Sequence, residues 1–178
     1  VPATDVSNWP AGTLNITVSG ANSAGTQTSI THPLTVDLTT VAVSINSITS
    51  DDVINAAEKG AALTPSGSTS GVEAGQTVTI TFGGKTYTTT VAANGSWSTT
   101  VPAVDMATLR DGDASAQVRV TNVNGNSATA THEYSVDSAA PTVTINTIAS
   151  DNIINASEAA AGVTVSGAST AETGQTLT

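Results

Sequence analysis

Thr77-Val78-Thr79-Ile80-Thr81-Phe82-Gly83-Gly84-Lys85-Thr86-Tyr87-Thr88-Thr89-Thr90-Val91 is the stretch that sets the fold class. Val78, Ile80 and Phe82 alternate with threonines, the period of two expected of a half-buried strand. Gly83-Gly84 supplies the residues a tight hairpin needs. Tyr87, Thr89 and Val91 then resume the inward positions on the return. Outward from this hairpin the same reading predicts strands over 41–48 (Val43 and Ile45 inward), 61–68 (Leu63), 96–101 (Trp97, Thr99, Val101), 115–122 (Val118, Val120) and 127–136 (Tyr134, Val136). Asn94-Gly95 and Asn124-Gly125 mark turns. Pro65 cannot donate to a ladder, which predicts an edge or a bulge there. Seven strands of this kind make an all-β, immunoglobulin-like sandwich.

Composition agrees. Charged residues are only 10% of the chain, against about 25% in an average protein, and hydrophobic residues reach 38%. Disordered chains show the opposite balance. With no cysteine no disulfide can staple the fold, so thin cores, metal, or both must hold it. The net charge is −10, with four basic residues in all. That leaves no phosphate-neutralising patch, so neither nucleic acid nor an anionic membrane surface is an expected partner. No apolar run approaches the ~18 residues of a membrane-spanning helix.

The chain repeats itself. His32 to Gly67 aligns without a gap onto His132 to Gly167, sharing Val36-Asp37, Ile45-Asn46, Ser50-Asp51, Ile54-Asn55-Ala56, Glu58 and Ser66-Gly67. After a slip of one residue, Gly75-Gln76-Thr77 answers Gly174-Gln175-Thr176. Val1-Pro2-Ala3, Asp5 and Gly12 answer Val101-Pro102-Ala103, Asp105 and Gly112. A period near 100 is too long for a solenoid and right for a sandwich domain in an array. The expected division is the back half of one repeat (1–37), one complete repeat (38–137) and the front half of another (138–178). Linkers of a few residues, Leu38-Thr39-Thr40 and Ser138-Ala139-Ala140-Pro141, restrict hinging and favour a rod.

Alternating strand direction sorts the loops between two poles. The 49–60 loop, the Gly83-Gly84 hairpin, the 102–114 loop and Asp137 are expected at one pole. The 69–75 loop, Asn94-Gly95 and Asn124-Gly125 are expected at the other. The first pole collects Asp51, Asp52, Glu58, Asp105, Asp111, Asp113 and Asp137, with only Lys59 and Arg110 nearby. A hard divalent cation would relieve that repulsion, and calcium accepts six to eight oxygen ligands from loops. Without cysteine, and with two histidines, zinc and copper are improbable. The expected calcium ligands are Asp51, Glu58, Asp111, Asp113 and Asp137, assisted by Asp52 and Asn55. Asp151, Asn152, Asn155 and Glu158 would serve the following junction. At the preceding junction Asp5 and Asp37 remain, but Asn8-Trp9-Pro10-Ala11-Gly12-Thr13 lacks an Asp-Gly-Asp triplet, so that site should be weaker. The competing reading is that these residues cap turns, as Asp and Asn do generally.

Asp51-Asp52-Val53-Ile54-Asn55-Ala56-Ala57-Glu58, with Ser66-Gly67, Ala74-Gly75-Gln76, Asn94-Gly95-Ser96-Trp97 and Leu109-Arg110-Asp111-Gly112, resembles the bacterial Ig-like repeats of giant surface adhesins, the Bap-like and LapA-type proteins among them. The resemblance spans the whole chain. It implies type I secretion, a place at the bacterial cell surface, and long arrays that extend a distal binding region for adhesion or biofilm formation. It implies calcium between repeats, with Asp51, Glu58, Asp111 and Asp137 as ligands, and neighbouring repeats as the immediate partners. A host-cell or biofilm-matrix surface would be met by other regions. Asn152, in place of Asp52, departs from a strict diacid. An alternative function is a direct binding module whose loop tips recognise a glycan or host protein.

Catalysis finds little support. His32 and His132 recur at one position without a nucleophile or carboxylate partner in a cleft, and read as semi-buried structural histidines. There is no Gly-x-Ser-x-Gly elbow, and no aromatic-lined groove for glycoside hydrolysis. Trp97 reads as core and Trp9 as packed on its own repeat.

Overall fold

The computed structural model describes residues 1–171, 176 and 178, so the Gly174-Gln175 part of the repeat lies outside the described residues. In chain order the elements are α1 (Ala3–Val6), β1 (Gly12–Ala21), β2 (Gln27–Val36), β3 (Ala42–Ile45), β4 (Val53–Asn55), α2 (Ala56–Lys59), β5 (Ser66–Ser70) and β6 (Thr77–Phe82). They continue with β7 (Lys85–Thr90), β8 (Ser96–Ser98), α3 (Ala103–Met106), β9 (Gly112–Thr121), β10 (Ser127–Asp137), β11 (Val143–Ile145), α4 (Ala156–Ala161) and β12 (Gly167–Ser169).

The central repeat is a sandwich. One sheet runs β4-β10-β9-β6-β7 and the other β3-β5-β8. All pairs are antiparallel except β10 with β4. The inward residues read from the alternation are the core: Val78, Ile80, Phe82, Trp97, Val101, Val118, Val120, Tyr134 and Val136 are buried. The Phe82 and Tyr134 rings stack at 4.9 Å. Trp97 spans the small sheet and donates its indole N–H to the Ser44 carbonyl at 3.1 Å. Gly67, opposite Trp97 in the ladder, leaves it room, since a Cβ there would collide with the Ser44 carbonyl and the indole ring.

Three expectations need correction. The central repeat has eight strands rather than seven. The additional one is β4, where Ile54, fully buried, joins the edge of the large sheet beside Val136. The 102–114 segment is not a plain loop, because α3 drops Met106 into the core. Pro65 is neither at a sheet edge nor at a bulge. It is buried just ahead of β5, and its carbonyl accepts from Thr99 N–H at 3.1 Å. Leu63, two residues earlier, exchanges both backbone bonds with Val101. In this register Pro65 pairs with Thr99 as Leu63 pairs with Val101, and the proline supplies only the accepting half of that pair, so the second bond is not formed.

On either side stand two-stranded units, β1-β2 and β11-β12. Their residues correspond to core positions of the central repeat but lie open: Val18 is 63% exposed where Val118 is 0%, and Ile154 is 56% exposed where Ile54 is 0%.

Candidate functional site

The pole expected to gather the acids does bring several segments together. Asp111, at the head of β9, accepts from the Ser138 hydroxyl at 2.7 Å and from Ser138 N–H at 3.3 Å. Lys59, at the end of α2, reaches Asp111 at 3.3 Å and the Ser138 hydroxyl at 3.1 Å. Three separate segments therefore meet at Asp111: the end of α2, the start of β9 and the linker residue after Asp137. The Ser138 hydroxyl, aided by Lys59, holds the Asp111 carboxyl below the usual carboxylate range despite partial desolvation. Beside it a cleft of about 340 Å³ is lined by Gly83, Leu109, Arg110, Asp111, Asp113 and Tyr134. The Tyr134 hydroxyl in its wall is buried without an aligned hydrogen-bond partner. Burial raises its pKa, partly offset by the nearby Gly83 amide.

The remaining expected ligands are engaged locally. Asp51 accepts from Val53 N–H at 3.1 Å and the Thr49 hydroxyl at 3.0 Å, which lowers its pKa in that order. Asp52, in the left-handed region at φ 59°, receives His132 Nε2 at 2.8 Å and Ile48 N–H at 2.7 Å. His132 is the larger cause of its lowered pKa. This pair fastens the turn after β3 to β10; the sequence reading gave His132 a structural role but no carboxylate partner, and Asp52 is one. Asn55 and Glu58 form a reciprocal capping box on α2. The Asn55 side chain accepts from Ala57 and Glu58 N–H at 2.9 and 3.0 Å, while Glu58 accepts from Asn55 N–H at 3.0 Å. Asn155 and Glu158 repeat the box on α4. Asp151 accepts from Ile153 N–H, and Asn152 from Ile148 N–H, both at 2.9 Å. Asp137 accepts from Ala139 N–H at 3.1 Å. Asp105 turns to β7 instead, 2.5 Å from Lys85 Nζ and 2.8 Å from the Tyr87 hydroxyl. Burial, with Asp105 adding to it, pushes Tyr87 up to about 12.

Among the described residues no three His, Asp or Glu side chains stand together in a metal-holding group. Asp51, Asp52, Asn55 and Glu58 are occupied with backbone N–H groups of their own turns, which is the turn-capping role weighed above. The donor chemistry of the Asp111 pole nevertheless suits a hard cation. The carboxylates and hydroxyls there offer oxygen only, the chain has no thiol, and two carboxylates share a cleft that also borders an unpartnered hydroxyl, with Lys59 and Arg110 as competing cations.

The opposite pole of the central repeat holds contacts that nothing in the sequence pattern marked. Asp37 receives three side-chain amides from the β9–β10 loop: Asn124 at 2.7 Å, Asn126 at 3.2 Å and Asn122 at 3.3 Å. Its other oxygen takes the Thr39 hydroxyl at 2.5 Å and Thr39 N–H at 2.8 Å. Thr39 first, then Asn124 and Asn122, lower its pKa to about 2. The Asn-x-Asn-Gly-Asn run reads as a turn; only its proximity to Asp37 in space reveals more.

No protein-family model matches the chain, and no curated protein matches it. Solved structures do. A structure bearing on host-cell surface retention of a 1.5-MDa bacterial ice-binding adhesin is 38% identical with a TM-score of 0.54, over 96% of this chain and 56% of that one. A Ca2+-stabilised adhesin by which an Antarctic bacterium binds ice is 40% identical with a TM-score of 0.49, over 90% of this chain and 40% of that one. A bacterial immunoglobulin-like domain of the M. primoryensis ice-binding adhesin is 42% identical with a TM-score of 0.41, over 53% of this chain and 95% of that domain. The chain thus spans about half or less of the length of the first two.

Proposed function

Because the chain belongs to the Ig-like repeats of large bacterial adhesins, we propose that it is a calcium-stiffened spacer carrying a distal binding region away from the cell surface. The division into repeats at 37 and 137 is part of this reading, as are secretion and a place outside the cell. The immediate partners are neighbouring repeats; a host or matrix surface is met elsewhere in the array.

The observation that carries the calcium reading is the convergence on Asp111. The residue that follows Asp137 is bonded to Asp111, and Asp113 lines the same cleft as Asp111, which supports a cation drawing the carboxylates of these two segments together. Asp111, Asp113 and Asp137 would hold the ion, with Asp51, Asp52, Asn55 and Glu58 supplying the loop behind them. Asp151 and Glu158 would do the same for the following joint; at the preceding joint both oxygens of Asp37, expected there as a ligand, are already taken by Thr39 and asparagine donors. Calcium supplies charge neutralisation and a many-oxygen bridge between segments. Lys59 already meets part of that charge, so calcium must compete with it, and affinity in the range of extracellular modules, about 10⁻⁴–10⁻³ M, is expected. Such a site is empty in a low-calcium cytosol and filled outside, which couples stiffening to export.

Calorimetry with increasing calcium tests the reading. At ten times the dissociation constant the folded state gains roughly 1.4 kcal/mol, a rise of roughly 5–11 °C for a domain of this size. The rise disappears in Asp111→Asn/Asp137→Asn. A melting temperature indifferent to millimolar calcium removes the proposal.

A further inference from the structure

Asp37 ends the strand of one repeat, and the loop that receives it belongs to the next. One carboxylate oxygen is filled by Thr39 of its own linker and the other by Asn122, Asn124 and Asn126 across the joint. Asn126 also reaches the Asp37 backbone carbonyl at 3.4 Å. The three asparagines differ in task. Asn122 is nearly buried, and its carbonyl oxygen accepts from Asn124 and Asn126 N–H at 3.1 and 2.9 Å. Asn122 therefore builds the loop, while Asn124 and Asn126 present amides to the neighbouring carboxylate.

The chain contains its own control. In the β1–β2 loop, Asn22 accepts from Ala24 and Thr26 N–H at 3.1 and 2.9 Å. The turn is the same, but Ala24 and Thr26 stand where Asn124 and Asn126 supply amides. Loop shape and loop chemistry are thus separable.

We propose that Asn124 and Asn126 form a receptor for the terminal carboxylate of the preceding repeat, a direct latch that closes this joint without a cation. Neutral amide and hydroxyl donors occupy both oxygens of Asp37, so its charge is met by hydrogen bonds before any metal is bound. Joint stiffness then becomes readable in sequence. A loop of the Asn-x-Asn-Gly-Asn type latches the Asp before it, and a loop of the Asn22-Ser23-Ala24-Gly25-Thr26 type does not. The latch is independent of the calcium reading, which concerns the other pole.

The test uses the full 178-residue chain, isotope-labelled, in EDTA. The heteronuclear NOEs of Leu38–Thr40 are expected at the level of β10, with distinct, slowly exchanging side-chain amide signals for Asn124 and Asn126. In Asn124→Ala/Asn126→Ala the linker values fall to those of the chain ends while the melting temperature of the central repeat holds. Asp37→Ala, outside the central sandwich, produces the same loss and guards against a folding defect in the loop variant. A linker mobile in EDTA and ordered only by calcium overturns the proposal, as does a linker that stays ordered in both variants.

Discussion

Tyr134 and Asp52 show how much single side chains decide in a fold with so few large ones. The Tyr134 ring is core, stacked on Phe82, yet its hydroxyl is buried without an aligned partner. A buried, unsatisfied polar group costs about 1–3 kcal/mol. The repeat pattern aligns Leu34, a side chain with no hydroxyl, with Tyr134, although Leu34 itself lies exposed in the β1-β2 unit. Tyr134→Phe should therefore raise the melting temperature in calcium-free buffer by roughly 4 °C or more; a fall would mean that the hydroxyl is satisfied after all. Asp52 sets a pH dependence. His132 and the Ile48 amide lower its pKa, so its contribution is complete above the ordinary carboxylate range and fades as pH drops through the depressed value. Asp37, Asp51, Asp105 and Asp111 shift the same way. Stability is thus expected to hold from neutrality to about pH 4 and to decline below it. Asn152, with φ 62° and the same bond to Ile148, shows that asparagine can close this turn. Asp52→Asn should keep the fold at pH 7 and flatten the acid decline, as melting curves between pH 7 and 3 would reveal. An unchanged acid slope would assign the loss to the other carboxylates.

At the scale of elements, α2 separates the two readings of Asn55 and Glu58. Capping alone predicts that Asn55→Ala costs about 1 kcal/mol, equally in calcium and in EDTA. Ligation predicts a distinctly greater loss in calcium, and paired melting curves distinguish them. The same element shows what the sequence could and could not reveal. β6 and β7 were legible because six residues of strict alternation leave one solution. β4 was not: three residues pairing parallel to β10 carry no period, and Ile54 gained its place from Val136, 82 residues away. α2 carried a readable signal, Asn55 followed three positions later by Glu58, which is a capping-box spacing. Read by charge alone, Glu58 passes for a ligand instead. α3 is equally short, and Met106 became core through the space between sheets rather than through any pattern of its own. The pole itself was legible, since strand direction fixed it. The pairing of Asp111 with Lys59 and Ser138 was not, because side-chain reach across loops leaves no trace in spacing.

At the scale of the molecule, cooperativity should be confined to the central repeat. Its two sheets enclose a shared core, whereas β1-β2 and β11-β12 each stand as two strands with their core-equivalent residues open. A two-stranded hairpin is marginal in water, because it lacks a partner for its apolar face. Amide exchange in β6, β9 and β10 should then report global unfolding, and exchange in β1, β2, β11 and β12 only local opening. The expected result is protection greater by several orders of magnitude in the central sheets, despite a β1-β2 ladder as long and as regular as that of β9-β10. The comparison is informative because the ladders match in length and differ in cover. Equal protection would mean that backbone pairing alone sustains the strands, and that the alternation which identified the fold is not what stabilises it. Adding a covering sheet to the open face of β1-β2 in a longer chain should bring its protection to that of β9-β10. Stability in such an array is then expected to grow one closed sandwich at a time.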